Sequence, residues 1–200
     1  TSQVTATPVP TPQATPSPTQ APTPTPTPSP TAPPTPTAPA TPPPDNGFVW
    51  CGQTCASYGF STEYPATWQP GAASNANGVQ FTNPAAPDQF ASFKALGPTT
   101  STAGDIVMAD LQTNYSAKPG YTPPSATGPA TIGGTTWIYG VAYYQNGEQR
   151  ERVVAYATVY QGQAYVIELE AADAQFDQVN AQAFGYMLGK YQFLPAQATQ

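Results

Sequence analysis

The sequence has no histidine, only two cysteines and only five basic residues among its 200 positions. Without histidine, the chain cannot form a Ser-His-Asp or Cys-His catalytic unit, and it offers no imidazole ligand for a metal. Two cysteines are too few for a four-ligand structural zinc site. The net charge of −6 argues against nucleic-acid binding, which needs a basic face to neutralise phosphates. No apolar run reaches the roughly 18 residues that a membrane-spanning helix needs.

Proline is abundant but unevenly distributed. Residues 1–44 hold 17 of the 27 prolines and no charged or aromatic residue. Because alternating proline fixes φ and removes backbone donors, we expect 1–44 to be a disordered, polyproline-II-like linker. Its Thr/Ser-Pro composition also fits an O-glycosylated stalk. A spacer that holds a domain away from a surface is favoured over an inert tail, and the lack of a flanking cation disfavours an SH3-type ligand.

Residues 45–200 have the length of one folded domain and contain all of the aromatic residues. The stalk-like composition of 1–44 leads us to expect a secretory signal or a membrane anchor upstream of Thr1. Cys51 and Cys55 are separated by three residues, which favours a structural disulfide in an oxidising compartment over a redox pair. Such a short loop is expected to stabilise the domain by about 2 kcal/mol.

Three turn dipeptides organise the second half of the domain, namely Gly133-Gly134, Asn146-Gly147 and Gln161-Gly162. A type I′ turn at Asn146-Gly147 pairs Gln145 with Glu148, and a two-residue turn at Gln161-Gly162 pairs Tyr160 with Gln163. Counting outwards from these pairs defines the two faces of a sheet. The first face carries bulky side chains: Trp137, Tyr139, Val141, Tyr143, Arg150, Arg152, Val154, Tyr156, Thr158, Tyr160, Tyr165, Ile167 and Leu169. The second carries smaller ones: Ile138, Gly140, Ala142, Tyr144, Val153, Ala155, Ala157, Val159, Ala164 and Val166.

Two largely apolar faces require cover on both sides, because a free antiparallel hairpin would show one polar face. Thr102 and Asp105 resemble a capping box and predict a helix over 103–116. A second helix is predicted over 174–188, with Asp173 as its N-cap and Gly189 as its end. Further strands are predicted over 59–65, 78–84, 90–96 and 191–194, and a proline-rich loop over 117–130. The expected class is α+β: an α/β/α sandwich around an antiparallel sheet.

The segment 59–68, with the sequence Gly-Phe-Ser-Thr-Glu-Tyr-Pro-x-x-Trp, resembles the opening signature of PsbP-like domains. The aromatic meander and the ending at 184–193, Phe-x-x-Met-Leu-x-x-Tyr-x-Phe, are similar to the same family. The resemblance covers about 57–195. It implies an antiparallel sheet between helices, as in photosystem II PsbP and in bacterial exported PsbP-like lipoproteins, and it implies partner binding rather than shared catalysis. The histidine on which metal binding partly depends in some members is missing here, so no metal ligand is assigned.

Two groups of residues are candidates for a site. Glu168, Glu170, Asp173 and Asp177 form an acidic group, which we interpret as a solvated strand end and a helix first turn. The alternatives are a cation site or a glycosidase-like carboxylate pair. Four aromatic residues could form a recognition patch if exposed, or part of the core if buried, and burial is favoured. They are Trp50, Tyr58, Trp68 and Tyr121.

The sequence therefore predicts a monomeric, non-enzymatic binding or scaffold module at the extracellular or cell-surface side of a bacterial cytoplasmic membrane. It would be a lipoprotein or the sensor domain of a membrane receptor, such as a receptor kinase, with a protein or small-molecule ligand. No catalytic, cofactor-binding or metal residue is predicted, and the membrane would be contacted only through an anchor outside this chain. The alternative is a histidine-independent hydrolase that uses carboxylates.

Overall fold

A computed structural model describes residues 47–124 and 127–195, so the linker predicted over 1–44 lies outside the described residues. In chain order, the described elements are β1 (Phe48–Trp50), α1 (Gly52–Ala56), β2 (Phe60–Ser61), β3 (Glu63–Pro65), β4 (Gln69–Ala72), β5 (Asn77–Thr82), β6 (Phe90–Pro98), α2 (Ala103–Tyr115), β7 (Thr127–Ile132), β8 (Thr135–Asn146), β9 (Gln149–Tyr160), β10 (Gln163–Ala172), α3 (Asp173–Val179), a π-helical segment (Asn180–Phe184), α4 (Gly185–Lys190) and β11 (Gln192–Phe193).

The central sheet is antiparallel and has the strand order β4-β5-β6-β10-β9-β8-β7 within the described residues. Two short pairs, β1 with β3 and β11 with β2, lie outside it. None of the helices in 47–124 and 127–195 is long and apolar enough to cross a membrane.

The register of the predicted hairpins is right at one turn and shifted at the other. Tyr160 pairs with Gln163, and both Gln161 and Gly162 have positive φ, as in a type I′ turn. In the other hairpin, however, Gln145 pairs with Arg150 rather than with Glu148. There the turn residues are Gly147 and Glu148, and only the glycine has positive φ, which is the pattern of a type II′ turn.

The two faces of the sheet are covered as predicted. A shift of two residues leaves every side chain on its own face, because the side-chain period of a strand is two. The bulky face packs against α3, the π-helical segment and α4, around fully buried residues such as Trp137, Phe184 and Met187. The small face packs against α2 through Val107 and Leu111. The predicted α/β/α sandwich around an antiparallel sheet is confirmed.

The helix boundaries differ from prediction at the C-terminal helix. The capping box of Thr102 and Asp105 is present at α2. Asp173, predicted as an N-cap, is instead the first residue of α3, and Ala172 occupies the N-cap position without a side-chain hydrogen bond. The Asp173 carboxylate binds Arg152 Nε at 2.6 Å, so the side chain is directed to β9 rather than to its own backbone. The last helix runs through Gly189 and ends at Lys190.

Both edges of the central sheet carry a proline, Pro70 in β4 and Pro129 in β7. The prediction of a loop over all of 117–130 is wrong, because β7 begins at Thr127. Proline is compatible with an edge strand, where its missing N–H faces away from the neighbouring strand. It also blocks the pairing of the exposed edge with another chain.

Gly78 lies in a close backbone contact between β5 and β6. A Cβ atom at this position would meet the Phe93 carbonyl oxygen and would lie 2.9 Å from Lys94 Cα. We expect Gly78→Ala to lower the free energy of unfolding by about 1–3 kcal/mol, since backbone cannot move aside as a flexible side chain can. Urea unfolding measures the change. Gly71→Ala in β4 is the matched control, because nothing lies within 4 Å of its Cβ position. Equal stability of the two variants would contradict the prediction.

Candidate functional site

A cluster of charged side chains is buried between α2 and the central sheet. Lys94 extends from β6, Glu168 from β10 and Asp110 from α2. The ammonium nitrogen of Lys94 lies 2.6 Å from Glu168 Oε2 and 3.2 Å from Asp110 Oδ1. The side chains of all three are 7% exposed or less. We call these residues, together with Asn114, the α2 cluster.

The polar groups of the α2 cluster bind one another. Asn114 Nδ2 donates hydrogen bonds to Asp110 Oδ1 and to Glu168 Oε1, both at 3.1 Å. Burial raises the pKa of Glu168, and the charge and hydrogen bond of Asp110 raise it further, while Lys94 acts in the opposite direction. With Glu168 protonated, as its raised pKa favours, the charges of Lys94 and Asp110 cancel.

A second buried acid lies on the same face of β10. Glu170 is 4% exposed, and its Oε1 accepts a hydrogen bond of 2.6 Å from the hydroxyl of Tyr144. Burial raises the pKa of Glu170 to about 7, although its hydrogen bonds to Tyr144 and Tyr115 act to lower it. Burial, and then the nearby carboxylates, hold the pKa of Tyr115 well above its usual value, and burial also raises the pKa of Tyr144, so both phenols are donors at neutral pH.

The interpretation of the acidic group as fully solvated is wrong for Glu168 and Glu170. Both carboxylates point to the small face of the sheet, where α2 covers them. The other two members follow the prediction more closely: Asp173 and Asp177 lie in α3, and both pair with Arg152, at 2.6 and 2.8 Å. The side chain of Asp177 is 86% exposed. Among the described residues, no group of acidic or cysteine side chains could hold a metal ion.

A pocket of about 380 Å³ opens beside α2 and reaches the edge of the α2 cluster. Its lining includes Lys94, Asp105 and Asp110, but neither Glu168 nor Glu170. Asp105 is already engaged by the backbone N–H and the hydroxyl of Thr102. The charged side chains that line this pocket are therefore each bound to another group of the protein, although Asp110 Oδ2 is buried without a hydrogen-bond partner.

Cys51 and Cys55 form a disulfide that closes the short helix α1, with their Cα atoms 5.6 Å apart. The backbone N–H of Cys51 donates to the carbonyl of Thr62, which attaches the start of this loop to the domain. The bridge therefore closes the α1 turn on itself, and the hydrogen bond of Cys51 attaches this turn to the segment between β2 and β3.

The four aromatic residues that could form a recognition patch are not brought together. Trp68 is 7% exposed and makes an edge contact with Phe184 on the bulky side of the sheet. Tyr58 packs partly buried on that same side, whereas Tyr121 packs against the α2 side. Trp50, in β1, is 54% exposed.

A second pocket lies between α1, the tip of the β9–β10 hairpin and the segment after β11, and we call it the hairpin pocket. Its volume is about 450 Å³. It is lined by Ala56, Ser57, Gly59, Tyr160, Gln161, Gln163, Tyr165, Leu194 and Pro195. The sequence predicted the pairing of Tyr160 with Gln163 but not this pocket, because its walls come from three segments that are distant in the chain. The feature of the sequence that could have indicated a pocket here is the concentration of tyrosine and glutamine around the Gln161-Gly162 turn.

The fold and its helix-covered antiparallel sheet place the chain in the α+β class. No family model matches the sequence, and no curated protein matches it. The structure is similar to that of cyanobacterial PsbP (CyanoP) from Synechocystis sp. PCC 6803, with a TM-score of 0.55 and 14% identity, covering 74% of this chain and 92% of that one. The fold is therefore PsbP-like, as the resemblance of 57–195 implied.

Two further solved structures are similar at lower scores. A protein from Bacteroides thetaiotaomicron has a TM-score of 0.49 and 14% identity, covering 71% of this chain and 47% of that one. LpqN of Mycobacterium tuberculosis, which is involved in cell envelope biogenesis, has a TM-score of 0.46 and 19% identity, covering 68% of this chain and 83% of that one.

Proposed function

We propose that the domain is a non-enzymatic binding module on the extracytoplasmic side of a bacterial membrane, with its ligand in the hairpin pocket. The observation that carries the proposal is the contrast between the two pockets. Each charged side chain that lines the pocket beside α2 is bonded to another group of the protein, whereas the two glutamine amides and two tyrosine hydroxyls that line the hairpin pocket make no hydrogen bond to another described residue. The remaining hydroxyl of the hairpin pocket, that of Ser57, donates to the carbonyl of Thr54. A concave site with tyrosine rings and a few polar groups is the usual form of a small-molecule site.

Three features support the proposed location. A disulfide persists in oxidising, extracytoplasmic compartments. The proline- and threonine-rich segment suits a spacer between a membrane anchor and a folded domain. The fold is PsbP-like, and the resemblance of 57–195 is to a family that includes bacterial exported lipoproteins. In this proposal the domain is a monomer that belongs to a lipoprotein or forms the sensor domain of a receptor such as a receptor kinase.

The alternative of a carboxylate hydrolase has one observation in its favour, the raised pKa of Glu168 and Glu170. A glycosidase needs its two carboxyl groups on either side of a substrate cleft. The pocket beside α2 is lined by neither glutamate. Lys94 and Asn114 bind the two oxygens of Glu168, and Tyr144 binds Oε1 of Glu170, whose Oε2 is buried without a hydrogen-bond partner. Burial against these partners accounts for the pKa shifts without a catalytic role, so the binding module is preferred.

The binding proposal is tested by a fragment screen on the full 200-residue chain, labelled with ¹⁵N. Small neutral, charged and apolar fragments are added in turn, and backbone shifts are mapped on the structure. We expect shifts concentrated at residues 160–163 and 56–59. Hits confined to the pocket beside α2, or turnover of chromogenic glycosides that Glu168→Gln abolishes, would contradict the proposal and favour the hydrolase.

The proposed location has its own test in cells that express the full gene. Protease is added to intact cells, after permeabilisation of the outer membrane where one is present, and the domain is followed by immunoblot. We expect cleavage in the proline-rich linker and release of a fragment of domain size. Protection until the cytoplasmic membrane is lysed would contradict an extracytoplasmic location.

A further inference from the structure

The wall of the hairpin pocket carries no charged side chain. An ionic ligand that entered it would lose hydration without gaining an opposite charge, which is unfavourable. Phosphate, carboxylate and ammonium groups are therefore poor matches for this wall. Its volume of about 450 Å³ lies within the range of roughly 300–1,000 Å³ that is common for small-molecule sites.

The polar groups of this wall both donate and accept hydrogen bonds. Within the described residues, the side-chain amides of Gln161 and Gln163 and the hydroxyls of Tyr160 and Tyr165 make no hydrogen bond to another residue. An amide offers two donors and a carbonyl acceptor, and a phenol offers one donor and an acceptor. Such groups match hydroxyl groups, which donate and accept in the same way. The Tyr165 hydroxyl lies close to Gly59, where an added Cβ atom would be 3.2 Å from it.

An aromatic stack holds one of these tyrosines in place. The rings of Trp137 and Phe193 are stacked at 6.0 Å with an angle of 4°, and Phe193 stacks on Tyr160 at 4.0 Å with an angle of 3°. Phe193 covers one face of the Tyr160 ring, so the pocket receives the other face or the ring edge. The face of an aromatic ring is electron-rich and attracts the polarised C–H bonds of a sugar ring.

We infer that the hairpin pocket binds an uncharged, polyhydroxylated ligand of the saccharide class. The inference rests on the proposed function, because it names the ligand class of the same site. The uncharged wall excludes ionic groups, the amides and phenols match hydroxyls, and Tyr160 supplies a ring, held rigidly by Phe193, on which a sugar can pack. Little conformational freedom is lost when such a held ring binds its ligand.

The test is a titration of the ¹⁵N-labelled full chain with defined probes. Cellobiose, maltose and N,N′-diacetylchitobiose represent saccharides, inorganic phosphate and free lysine represent ions, and hexanol represents apolar ligands. We expect at least one saccharide to shift the amides of residues 160–163 in a saturable way, and the ions to leave them unchanged. Shifts with hexanol or the ions alone would overturn the saccharide inference and leave the binding module standing. If no probe shifts the amides at the pocket, the result contradicts both the saccharide inference and the proposal of a binding module.

Variants then show whether the proposed groups hold the sugar. Gln163→Leu removes the amide, and Tyr160→Phe removes the hydroxyl but keeps the stack on Phe193. Each should weaken saccharide binding by about threefold to tenfold, which corresponds to the loss of one hydrogen bond. Gln112→Leu and Tyr121→Phe, on the opposite side of the sheet, are the matched controls and should bind like the parent chain. Unchanged affinity in both pocket variants would overturn the inference.

Discussion

Lys94→Met is expected to lower the free energy of unfolding by about 3–5 kcal/mol, because it leaves buried carboxyl groups without their cation. Methionine keeps the apolar length of the side chain, so the loss reports the charge rather than a cavity. Glu168 loses a partner at 2.6 Å and Asp110 one at 3.2 Å. The cost should be greater at pH 8 than at pH 5, since protonation of the carboxyl groups at low pH removes the uncompensated charge. Urea unfolding at the two pH values measures both effects.

Two further variants show whether the loss belongs to the α2 cluster. Lys118→Met removes an exposed lysine that lies 5.3 Å from the centre of the Tyr144 ring, and it should change stability by less than about 1 kcal/mol. The double variant Lys94→Met, Glu168→Gln should recover much of the loss at pH 8, because the buried carboxylate is then removed with its cation. A loss of less than about 1 kcal/mol in Lys94→Met would show that the buried charges do not depend on Lys94.

The stability of the protein should increase when the pH falls from 8 towards 5, which is opposite to ordinary acid denaturation. The pKa of Glu170 is about 7 in the folded protein, against an ordinary value of 4.5. Between these values the folded state holds a proton that the unfolded state has lost, so stability falls as the pH rises through this window. The difference corresponds to about 3 kcal/mol. The raised pKa of Glu168 acts in the same direction.

Glu170→Gln should remove much of this pH dependence. A glutamine is neutral at every pH and its carbonyl can still accept the hydrogen bond from Tyr144. We expect the variant to be more stable than the parent at pH 8 and nearly equal to it at pH 5. Asp177→Asn is the matched control, because this exposed carboxylate should contribute little and leave the slope unchanged. A parent-like slope in Glu170→Gln would contradict the assignment of the dependence to Glu170. Thermal unfolding across the pH range measures the stability of the parent chain and of the two variants.

The sheet could be predicted because its evidence is local. Alternation between Trp137 and Leu169 defines the two faces, and glycine turns locate the hairpins. The Asn146-Gly147 dipeptide predicts a turn one residue before the observed turn at Gly147-Glu148, but the resulting shift of two residues keeps all side chains on their faces. Strand β7 is not predicted because its proline and glycine suggest a loop. Its residues alone do not indicate that it lies at the edge of the sheet, where proline is tolerated.

The burial of Glu168 and Glu170 could not be predicted from the local sequence pattern. Glu168 and Glu170 alternate with apolar residues of β10 and therefore share one face of the strand, but the sequence interpretation of this strand end as solvated was wrong. Whether that face was open or covered at their positions depended on α2, about sixty residues earlier in the chain. The partners that make their burial tolerable, Lys94 and Tyr144, lie on other strands.

By itself, the sequence determined the class of the fold, the disulfide pair and the two faces of the sheet, because each depends on spacing within a short stretch of chain. Only the tertiary structure decided which charges are buried and where a ligand can enter. The hairpin pocket joins α1, the Tyr160–Gln163 turn and the residues after β11, and the α2 cluster joins β6, β10 and α2. Both arise where the packing of distant segments sets the solvation and the hydrogen-bond partners of each side chain, which no local pattern specifies.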